Sequence, residues 1–301
     1  MKKGTILSDI LIILLVSSFI FIGCRKKSEA EKAVITVKGS DTMVNLSQRW
    51  AEEYMKKNPS ISIQVTGGGS GTGIAALLNG TTDIANASRE MKDVEMEKAK
   101  SSGLNLEQHK VALDGLAVIV SPENPISELT IAQLSDIFTG KTTNWKELGG
   151  KNLPIVLYGR ENSSGTYEFF KEHVLGKDKN GNQNEYASST QVLQGTAALG
   201  EAVARDIKGI GYGGVGYFAQ RKDVKILSVK ENKDSQAYSP VGDGGQVMYE
   251  LIWSKKYPIS RYLYCYANSN LKREGKAFLD FIVSPDGQNL VKQMEYIPLP
   301  K

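Results

Sequence analysis

The sequence predicts an α/β fold with mostly parallel strands, because one local pattern occurs three times. In each case a run of β-branched and apolar residues leads into a cluster of Gly, Ser and Thr, and a stretch of helical periodicity follows. The clusters lie at 39–42, 67–73 and 159–166. The sequence contains no near-identical repeats, which argues against a solenoid.

The first instance begins with a strand predicted at 34–37 and continues into a helix at 43–57. This helix is predicted to stop before the Asn-Pro pair at 58–59, because the residue before a proline disfavours the helical conformation. Its apolar face consists of Val44, Leu46, Trp50 and Tyr54.

The second instance joins a strand at 61–65 to a helix that starts at 74–78. The third joins a strand at 155–158 to a helix at 167–175. The remaining predicted elements between these are a short buried strand at 83–89 that ends in polar residues, and a helix at 90–100.

Two apolar runs determine the predicted domain organisation. If the runs at 111–120 and 262–266 are both crossover strands, the chain leaves one lobe, builds another and returns to the first. The predicted boundaries are then 33–117 and 264–301 for the first lobe and 118–263 for the second. The alternative is two sequential domains divided in the polar loop at 178–184.

Composition and charge exclude several classes of protein. The 301 residues are 41% hydrophobic and 23% charged, which is enough to fill ordinary cores in about two domains. Removal of a leader that contains Lys2, Lys3 and Asp9 leaves 35 basic and 32 acidic residues, a net charge of +3. This charge is too small to predict nucleic-acid binding through phosphate-backbone electrostatics.

The N-terminus predicts export and a lipid anchor at the periplasm or cell surface. Two lysines precede an apolar run at 10–22, which is too short to span a bilayer but has the length of a signal-peptide core. The run ends in Phe-Ile-Gly-Cys, similar to the lipobox of bacterial lipoproteins. Residues 1–23 are therefore predicted to be a signal peptide, Cys24 to be lipidated, and 24–32 to be a solvated tether. The alternatives are an ordinary secretory peptide and an uncleaved anchor. Cys265 then lacks a partner cysteine and is predicted to be a core residue.

The three polar clusters predict a site for an anion. A helix N-terminus offers up to four unpaired N–H donors and a partial positive charge. Glycine allows the backbone to come close, Ser and Thr add hydroxyl donors, and Arg160 adds a guanidinium suited to two oxygens of a tetrahedral oxyanion. A dehydrated dianion needs on the order of ten donors, because each charged hydrogen bond contributes only about 1.5–3 kcal/mol. Three clusters with one arginine can supply them, whereas one cluster cannot.

Each feature also has a purely structural interpretation. Taken alone, the cluster at 39–42 is better explained as a helix N-cap. The cluster at 67–73 lacks the lysine of a P-loop and the G-x-G-x-x-G spacing, so nucleotide binding is not predicted. Arg160 could be a surface ion-pair partner of Glu161, although a functional role is favoured. For Arg89 the sequence favours neither a functional nor a solvated position.

In combination these motifs resemble the PstS family, the periplasmic phosphate-binding proteins of a phosphate ABC importer. The resemblance rests on residues 39–43, 67–73, 83–89, 160–166 and 209–212, and it covers nearly all of the chain after the tether. It implies a two-lobed type II periplasmic-binding-protein fold, in which each lobe has a mostly parallel sheet flanked by helices and two crossover strands form the hinge. It also implies phosphate as ligand, permease subunits as partners, no cofactor or metal, and a monomer. By position, the implied ligand residues are Ser40, Asp41, Thr42, Ser70, Gly71, Ser88, Arg160, Ser164, Gly165 and Thr166.

One implied ligand position departs from the family pattern. Ser88 lies where many members of the family have Asp. A carboxylate can accept the proton that monohydrogen phosphate carries and sulfate lacks, whereas a hydroxyl at this position discriminates less. Asp41 is the nearest candidate for a replacement acceptor. The predicted ligand is therefore phosphate, and sulfate or another tetrahedral oxyanion is the alternative.

Two other classes of function compete with this interpretation. A secreted phosphatase or serine hydrolase needs a base beside its nucleophile, but neither His109 nor His173 lies beside a G-x-S-x-G elbow, and that motif is missing. No cluster in the sequence has metal-ligand spacing. An enzyme is therefore not predicted. An adhesin or signalling receptor with the same fold remains an alternative, because a fold does not determine a role.

Overall fold

Strands and helices alternate along most of the chain in the computed structural model, which describes residues 32–300. In these residues the strands are β1 (Ala33–Gly39), β2 (Ile61–Thr66), β3 (Ile84–Ala87), β4 (Leu106–Val120), β5 (Glu128–Thr130), β6 (Val156–Arg160), β7 (Gln191–Leu193), β8 (Gly209–Gly214), β9 (Lys225–Ile226), β10 (Ser228–Lys230) and β11 (Ser260–Asn268). The helices are α1 (Val44–Lys57), α2 (Ser70–Leu78), α3 (Asp93–Ser101), α4 (Ile131–Phe138), α5 (Gly165–Phe170), α6 (Gly195–Ala204), α7 (Val215–Phe218), α8 (Tyr249–Trp253), α9 (Arg273–Val283) and α10 (Pro285–Gln293).

Nine of these strands form one mixed sheet in the order β2-β1-β3-β11-β4-β8-β6-β7, with β9 paired to β4 outside this path. The pairs β1–β2, β1–β3, β6–β7 and β6–β8 are parallel, and β5 and β10 form a separate parallel pair. Every antiparallel pair includes β4 or β11. The structure therefore confirms the predicted α/β fold class with mostly parallel strands.

Three hydrophobic cores lie along the sheet, and the smallest of them contains Ile74, Leu77 and Tyr266. The first contains Trp50 and Phe278, and the second contains Phe138 and Trp145. We call β1–β3 with α1–α3, α9 and α10 the first half, and β5–β10 with α4–α8 the second half. The second core takes residues from both sides of the polar loop at 178–184, among them Leu175 before it and Leu199 after it. A division into two sequential domains at this loop does not fit that core.

Strands β4 and β11 cross between the halves. β4 contributes Val111 and Ala112 to the first core, and its residues from Leu116 to Val120 pack in the second core. Both strands are longer than the predicted runs at 111–120 and 262–266 because polar residues without an apolar pattern extend their ends. The predicted lobe boundaries near 117/118 and 263/264 fall in or beside these two strands and stay a prediction.

Helix α1 confirms the predicted helix at 43–57, and its buried face includes Leu46, Trp50 and Tyr54 as predicted, whereas Val44 is only partly buried. Leu46 and Trp50 are fully buried, and the Trp50 indole N–H donates to the carbonyl of Gly287 in α10 at 2.9 Å. Cys265 lies in the same core, as predicted, and burial raises the pKa of its thiol to about 12.

The N-terminal predictions lie outside the described residues. Residues 1–31 include the predicted signal peptide, Cys24 and nearly all of the predicted tether. Between residues 32 and 300, no helix has both the length and the apolar character that a membrane crossing requires.

Candidate ligand site

The first polar cluster begins where β1 ends. Gly39 has φ of +146°, and a Cβ there would overlap the carbonyl oxygen of Asn86 in β3, so glycine is needed for this close approach. The Ser40 N–H donates to that carbonyl at 2.9 Å. The chain then turns through a short 3₁₀ helix into α1. Ser40 and Thr42 are both buried at this turn.

Asp41 connects the first cluster to the second cluster and to the second half. Its Oδ1 accepts a hydrogen bond from the Gly68 N–H at 2.9 Å, and its Oδ2 accepts one from Arg160 Nη2 at 3.1 Å. Ser40 is the N-cap of the short 3₁₀ helix and Met43 is the N-cap of α1, and neither side chain makes a capping hydrogen bond. The interpretation of this cluster as a simple N-cap is therefore wrong.

The second cluster forms the first turn of α2. The helix begins at Ser70 instead of the predicted 74, directly after Gly69, which has φ of +92°. Glycine has low helix propensity, so the glycine-rich sequence at 67–73 is also typical of a loop. Packing against neighbouring segments nevertheless makes the chain helical from Ser70 onward. A Cβ on Gly73 would lie 2.5 Å from the Cα of Gly39. Glycine therefore lets the N-terminus of α2 rest on the end of β1, with the Ser70 side chain fully buried.

The third cluster connects β6 to α5 in the second half. Ser164 is the N-cap of α5, and its Oγ accepts hydrogen bonds from the N–H groups of Thr166 and Tyr167 at 3.1 and 3.4 Å. The helix starts at Gly165, two residues before the predicted start, and continues after Phe170 as a π-helical turn. Ser164 and Thr166 are buried.

The three clusters meet. A Cβ on Gly165 would overlap Ser70 Oγ and lie 2.6 Å from Ser88 Oγ. Ser70 Oγ lies 3.3 Å from Ser88 Oγ and accepts a hydrogen bond from the Ser88 N–H at 3.0 Å. The Gly71 N–H donates to the carbonyl of Ser163 at 2.9 Å. Hydroxyl groups and helix N-termini from both halves therefore lie in one place.

Two threonines complete this contact between the halves. Thr42 Oγ1 of the first half lies 2.9 Å from Thr166 Oγ1 of the second half. Both residues are at least nine-tenths buried, so this hydroxyl pair is shielded from bulk water. Hydrogen bonds are electrostatically stronger in such a place than at the surface.

Arg160 is the charged centre of the third cluster. It is 1% exposed and donates to Asp41, to both carboxylate oxygens of Glu161 (2.9 and 3.1 Å) and to Thr196 Oγ1 (3.0 Å). Burial alone would raise the pKa of Glu161, but the hydrogen bonds and charge of Arg160 hold it below its usual range. The predicted pair with Glu161 therefore exists, but it is not a surface pair.

A second buried ion pair, missed by the sequence analysis, lies beside these groups. Arg261 of β11 donates to Asp114 of β4 at 2.9 Å, and Arg261 Nη2 also donates to Thr166 Oγ1 at 2.9 Å. Full burial raises the pKa of Asp114, while the adjacent guanidinium acts in the opposite direction. A signal was present, because Asp114 is the one charged side chain in the run at 111–120 and Arg261 directly precedes the run at 262–266.

Arg89 has a structural role. Its two terminal nitrogens each donate to a carboxylate oxygen of Glu95 at 2.8 Å, and Glu95 also accepts from the Lys92 N–H at the start of α3. Burial alone would raise the pKa of Glu95, but these bonds hold it below its usual value. Arg89 is buried and holds the first turn of α3 through Glu95, so the solvated position that the sequence left open is wrong.

Two cavities border the site. One is a groove of about 710 Å³ whose lining includes Arg89, Lys110, Phe169, Trp253, Arg261 and Tyr262. The other has a volume of about 200 Å³, and its lining includes Asp41, Thr42, Thr196 and Tyr296. Ser70, Ser88 and Ser164 line neither cavity, in agreement with their near-complete burial.

The remaining candidate groups lie away from the three clusters. His173 belongs to the π-helical turn after α5 and stacks on Phe169 with ring centroids 4.0 Å apart. His109 is partly exposed in β4. Over the stretch from 32 to 300, no group of His, Cys, Asp and Glu side chains has an arrangement that could hold a metal ion.

Comparison with known proteins identifies the family. A family model described as a PBP superfamily domain matches residues 26–286. The phosphate-binding protein PstS of Pseudomonas aeruginosa is 36% identical over 280 residues, which cover 87% of this chain and 82% of the relative. PstS of Bacillus subtilis is 31% identical and the match covers 99% and 95% of the two chains.

A solved structure gives the same result. It is assigned to a phosphate ABC transporter substrate-binding protein of Clostridium perfringens and contains bound phosphate. It superimposes with a TM-score of 0.74 at 32% identity and covers 89% of this chain and all of its own. The resemblance stated from the sequence motifs is therefore confirmed, and the chain belongs to the PstS family of phosphate-binding proteins within the PBP superfamily.

Proposed function

We propose that this protein binds inorganic phosphate between its two halves and delivers it to the permease subunits of an ABC importer. The observation that carries the proposal is the meeting of three Gly/Ser/Thr clusters, from both halves, in one buried group of hydroxyl and N–H donors. The relatives named above are phosphate-binding proteins, and the solved relative from Clostridium perfringens holds phosphate.

Hydrogen bonds and helix N-termini, more than net charge, would hold the anion. The proposed ligand groups are those of Ser40, Asp41, Thr42, Ser70, Gly71, Ser88, Arg160, Ser164, Gly165 and Thr166. The charge of Arg160 is already balanced by two carboxylates, those of Asp41 and Glu161. The surrounding hydroxyls can donate to a dianion without its water shell, together with those first-turn N–H groups of α2 and α5 that are not already bonded to Ser163 or Ser164. Each such charged hydrogen bond contributes about 1.5–3 kcal/mol.

Binding would also change the equilibrium between open and closed arrangements of the halves. The contacts Arg160–Asp41, Gly71–Ser163 and Thr42–Thr166 all join one half to the other. An anion that bonds to both halves would favour the joined arrangement, which the membrane partner could then recognise. We place the moving lobes at 33–117 with 264–301 and at 118–263, with β4 and β11 as the hinge.

A lipid on Cys24 would hold a monomer of this protein at the membrane, in the periplasm or at the cell surface. The support is the apolar run at 10–22 followed by Gly-Cys, together with the charged stretch before Ala33. Mass spectrometry of the mature protein should find a diacylglycerol-modified Cys24 as its first residue. The Cys24→Ser variant should leave the membrane fraction, and an unmodified N-terminus in the wild type would reject the anchor.

The direct test of the ligand is a titration of the full-length protein, in detergent, with phosphate, sulfate, arsenate and molybdate. Intrinsic fluorescence of Trp50, Trp145 and Trp253 gives the signal, and calorimetry gives the affinity. Tight phosphate binding without hydrolysis of a chromogenic phosphate ester supports a carrier. Hydrolysis supports a phosphatase, and stronger binding of sulfate supports the alternative oxyanion. Ser70→Ala should weaken binding, with the exposed Ser101→Ala as its control.

A further inference from the structure

The Arg261–Asp114 pair lies where the two crossover strands face each other. The two residues are directly opposite in the antiparallel register of β11 and β4. Their side chains are 2% and 0% exposed, and Asp114 Oδ1 also accepts a hydrogen bond from the Val215 N–H of the second half at 3.2 Å. A buried ion pair is costly to desolvate, and replacement by apolar residues often stabilises a fold. Stability is therefore a weak explanation for a charged pair at this position.

The guanidinium of Arg261 contacts a proposed ligand hydroxyl from each half. Its Nη2 lies 2.9 Å from Thr166 Oγ1 and 3.5 Å from Thr42 Oγ1. Its Nη1 lies 3.4 Å from the carbonyl oxygen of Gly165, and its Cζ lies 5.3 Å from the ring centroid of Phe169. The position of this one side chain is therefore fixed by contacts with β4, α5 and the turn after β1.

The chemistry of these partners determines which way the hydroxyl protons point. A guanidinium can only donate, so Thr166 Oγ1 accepts from Arg261 and its own proton must point elsewhere. The acceptor within reach is Thr42 Oγ1 at 2.9 Å. If Thr166 donates to Thr42, the Thr42 hydroxyl still has its own proton to donate to a further acceptor. If Thr42 donates to Thr166 instead, the Thr166 hydroxyl keeps its proton for that acceptor. In both orders one hydroxyl is left as a donor, and each bond of such a chain strengthens the next.

We propose that Arg261 and Asp114 belong to the phosphate site: Arg261 holds Thr166 Oγ1, so that one hydroxyl of the Thr42–Thr166 pair is left as a donor to the tetrahedral oxyanion, and Asp114 holds Arg261. This inference rests on the proposed function. Arg261 is a positioning residue that acts through the Thr166 hydroxyl, which is in turn bonded to Thr42. The same chain of bonds links the hinge strands to the place where the halves meet.

The test is calorimetric titration of the full-length protein with inorganic phosphate. The double variant Arg261→Gln/Asp114→Asn removes both charges together, so no uncompensated charge is left buried. We expect it to weaken phosphate binding roughly 10- to 100-fold, the effect of losing one charge-assisted hydrogen bond. In a Thr166→Val background the same double change should weaken binding less than about threefold, because the hydroxyl through which it acts is gone.

The matched control is the ion pair of Arg89 with Glu95, which is mostly buried and lies outside the proposed ligand residues. Arg89→Gln/Glu95→Gln should lower the melting temperature but leave the phosphate affinity within about twofold of wild type, because neither residue bonds to the threonines. If Arg261 had only a structural role, its double variant would behave like the control: the melting temperature would fall and the phosphate affinity would stay within about twofold of wild type. Equal losses from Arg261→Gln/Asp114→Asn with and without the Thr166 hydroxyl would overturn the proposal.

Two further outcomes are informative. If the double variant does not fold, Arg261→Lys decides: it keeps the charge but loses the planar fork, and we expect about tenfold weaker binding. Unchanged affinity of Arg261→Lys would overturn the inference while leaving the proposed function intact. If the wild type itself does not bind phosphate, the proposed function falls and this inference falls with it.

Discussion

At the scale of single residues, Arg160 shows how burial changes the meaning of an ion pair. From the sequence, a surface pair with Glu161, which would have little energetic value, was the alternative to the favoured functional role. The structure contains that pair, but the guanidinium is 1% exposed and also bonds to Asp41 of the other half. Burial depends on packing between residues far apart in the chain, so the neighbouring Glu could not reveal it.

Arg160→Ala should weaken phosphate binding by roughly 2–5 kcal/mol, because it removes a buried donor and leaves two carboxylates unpaired beside the anion. Calorimetry measures the loss. Arg221→Ala is the control, since Arg221 is a partly buried arginine paired with Asp223 and Glu201 in the second half. A loss below about 0.5 kcal/mol for Arg160→Ala would place this arginine at the rim of the site.

Asp41→Asn should weaken phosphate binding more than sulfate binding. A carboxylate can accept the proton of monohydrogen phosphate, whereas the amide that replaces it also offers a donor to sulfate. The measurement is the ratio of the two dissociation constants, with Asp286→Asn as a control at an exposed ion pair with Lys57. If the ratio does not change, Asp41 serves only to join Gly68 and Arg160.

At the scale of elements, periodicity predicted the apolar faces well and the polar helix starts less well. The face of α1 and the strands β1, β2 and β6 follow directly from apolar spacing. The start of α2 could not be predicted because its glycines disfavour a helix locally, and their close approaches are to residues elsewhere in the chain, Gly39 for Gly73 and Ser163 for Gly69. Asp114 and Arg261 are single charges in or beside apolar runs, and only the register of β4 and β11 shows that they pair.

Gly165→Ala should separate the first turns of α2 and α5. The added methyl would collide with the Ser70 and Ser88 hydroxyls, which belong to the other half. Overpacking of this kind costs about 1–3 kcal/mol, so phosphate affinity should fall roughly tenfold or more. The melting temperature without ligand should change little, because the halves can relax apart.

Gly244→Ala is the control for this change, since the nearest neighbour of its added methyl is the flexible end of Gln246 in an exposed segment. Titration and thermal unfolding of both variants distinguish the effects. Equal phosphate affinity for Gly165→Ala and wild type would mean that the ligand does not need this close approach.

At the scale of the whole molecule, the order of motifs along the chain identified the family, but the meeting of the clusters was not visible in it. Thr42 and Thr166 are 124 residues apart, and they meet because β4 and β11 carry the chain from one core to the other. The number of residues between two positions does not determine how far apart their side chains lie in the folded chain. The resemblance to a known family supplied what local patterns could not.

Phosphate should stabilise the whole protein against heat, because it is expected to bind the folded chain and not the unfolded one. At a phosphate concentration 100 times the dissociation constant, linkage predicts about 2.7 kcal/mol of added stability. Differential scanning calorimetry with phosphate and with an equal concentration of sulfate measures the effect. A melting temperature that rises equally with both salts would indicate a general salt effect instead of specific binding.

The polar loop at 178–184 lies outside the second core, yet that core needs residues from both sides of it. A protease that nicks the backbone there would leave two fragments held together by their shared apolar interior. The same property makes the loop a suitable insertion point for a fluorescent reporter. A host protein that tolerates such a graft could serve as a genetically encoded sensor in living cells.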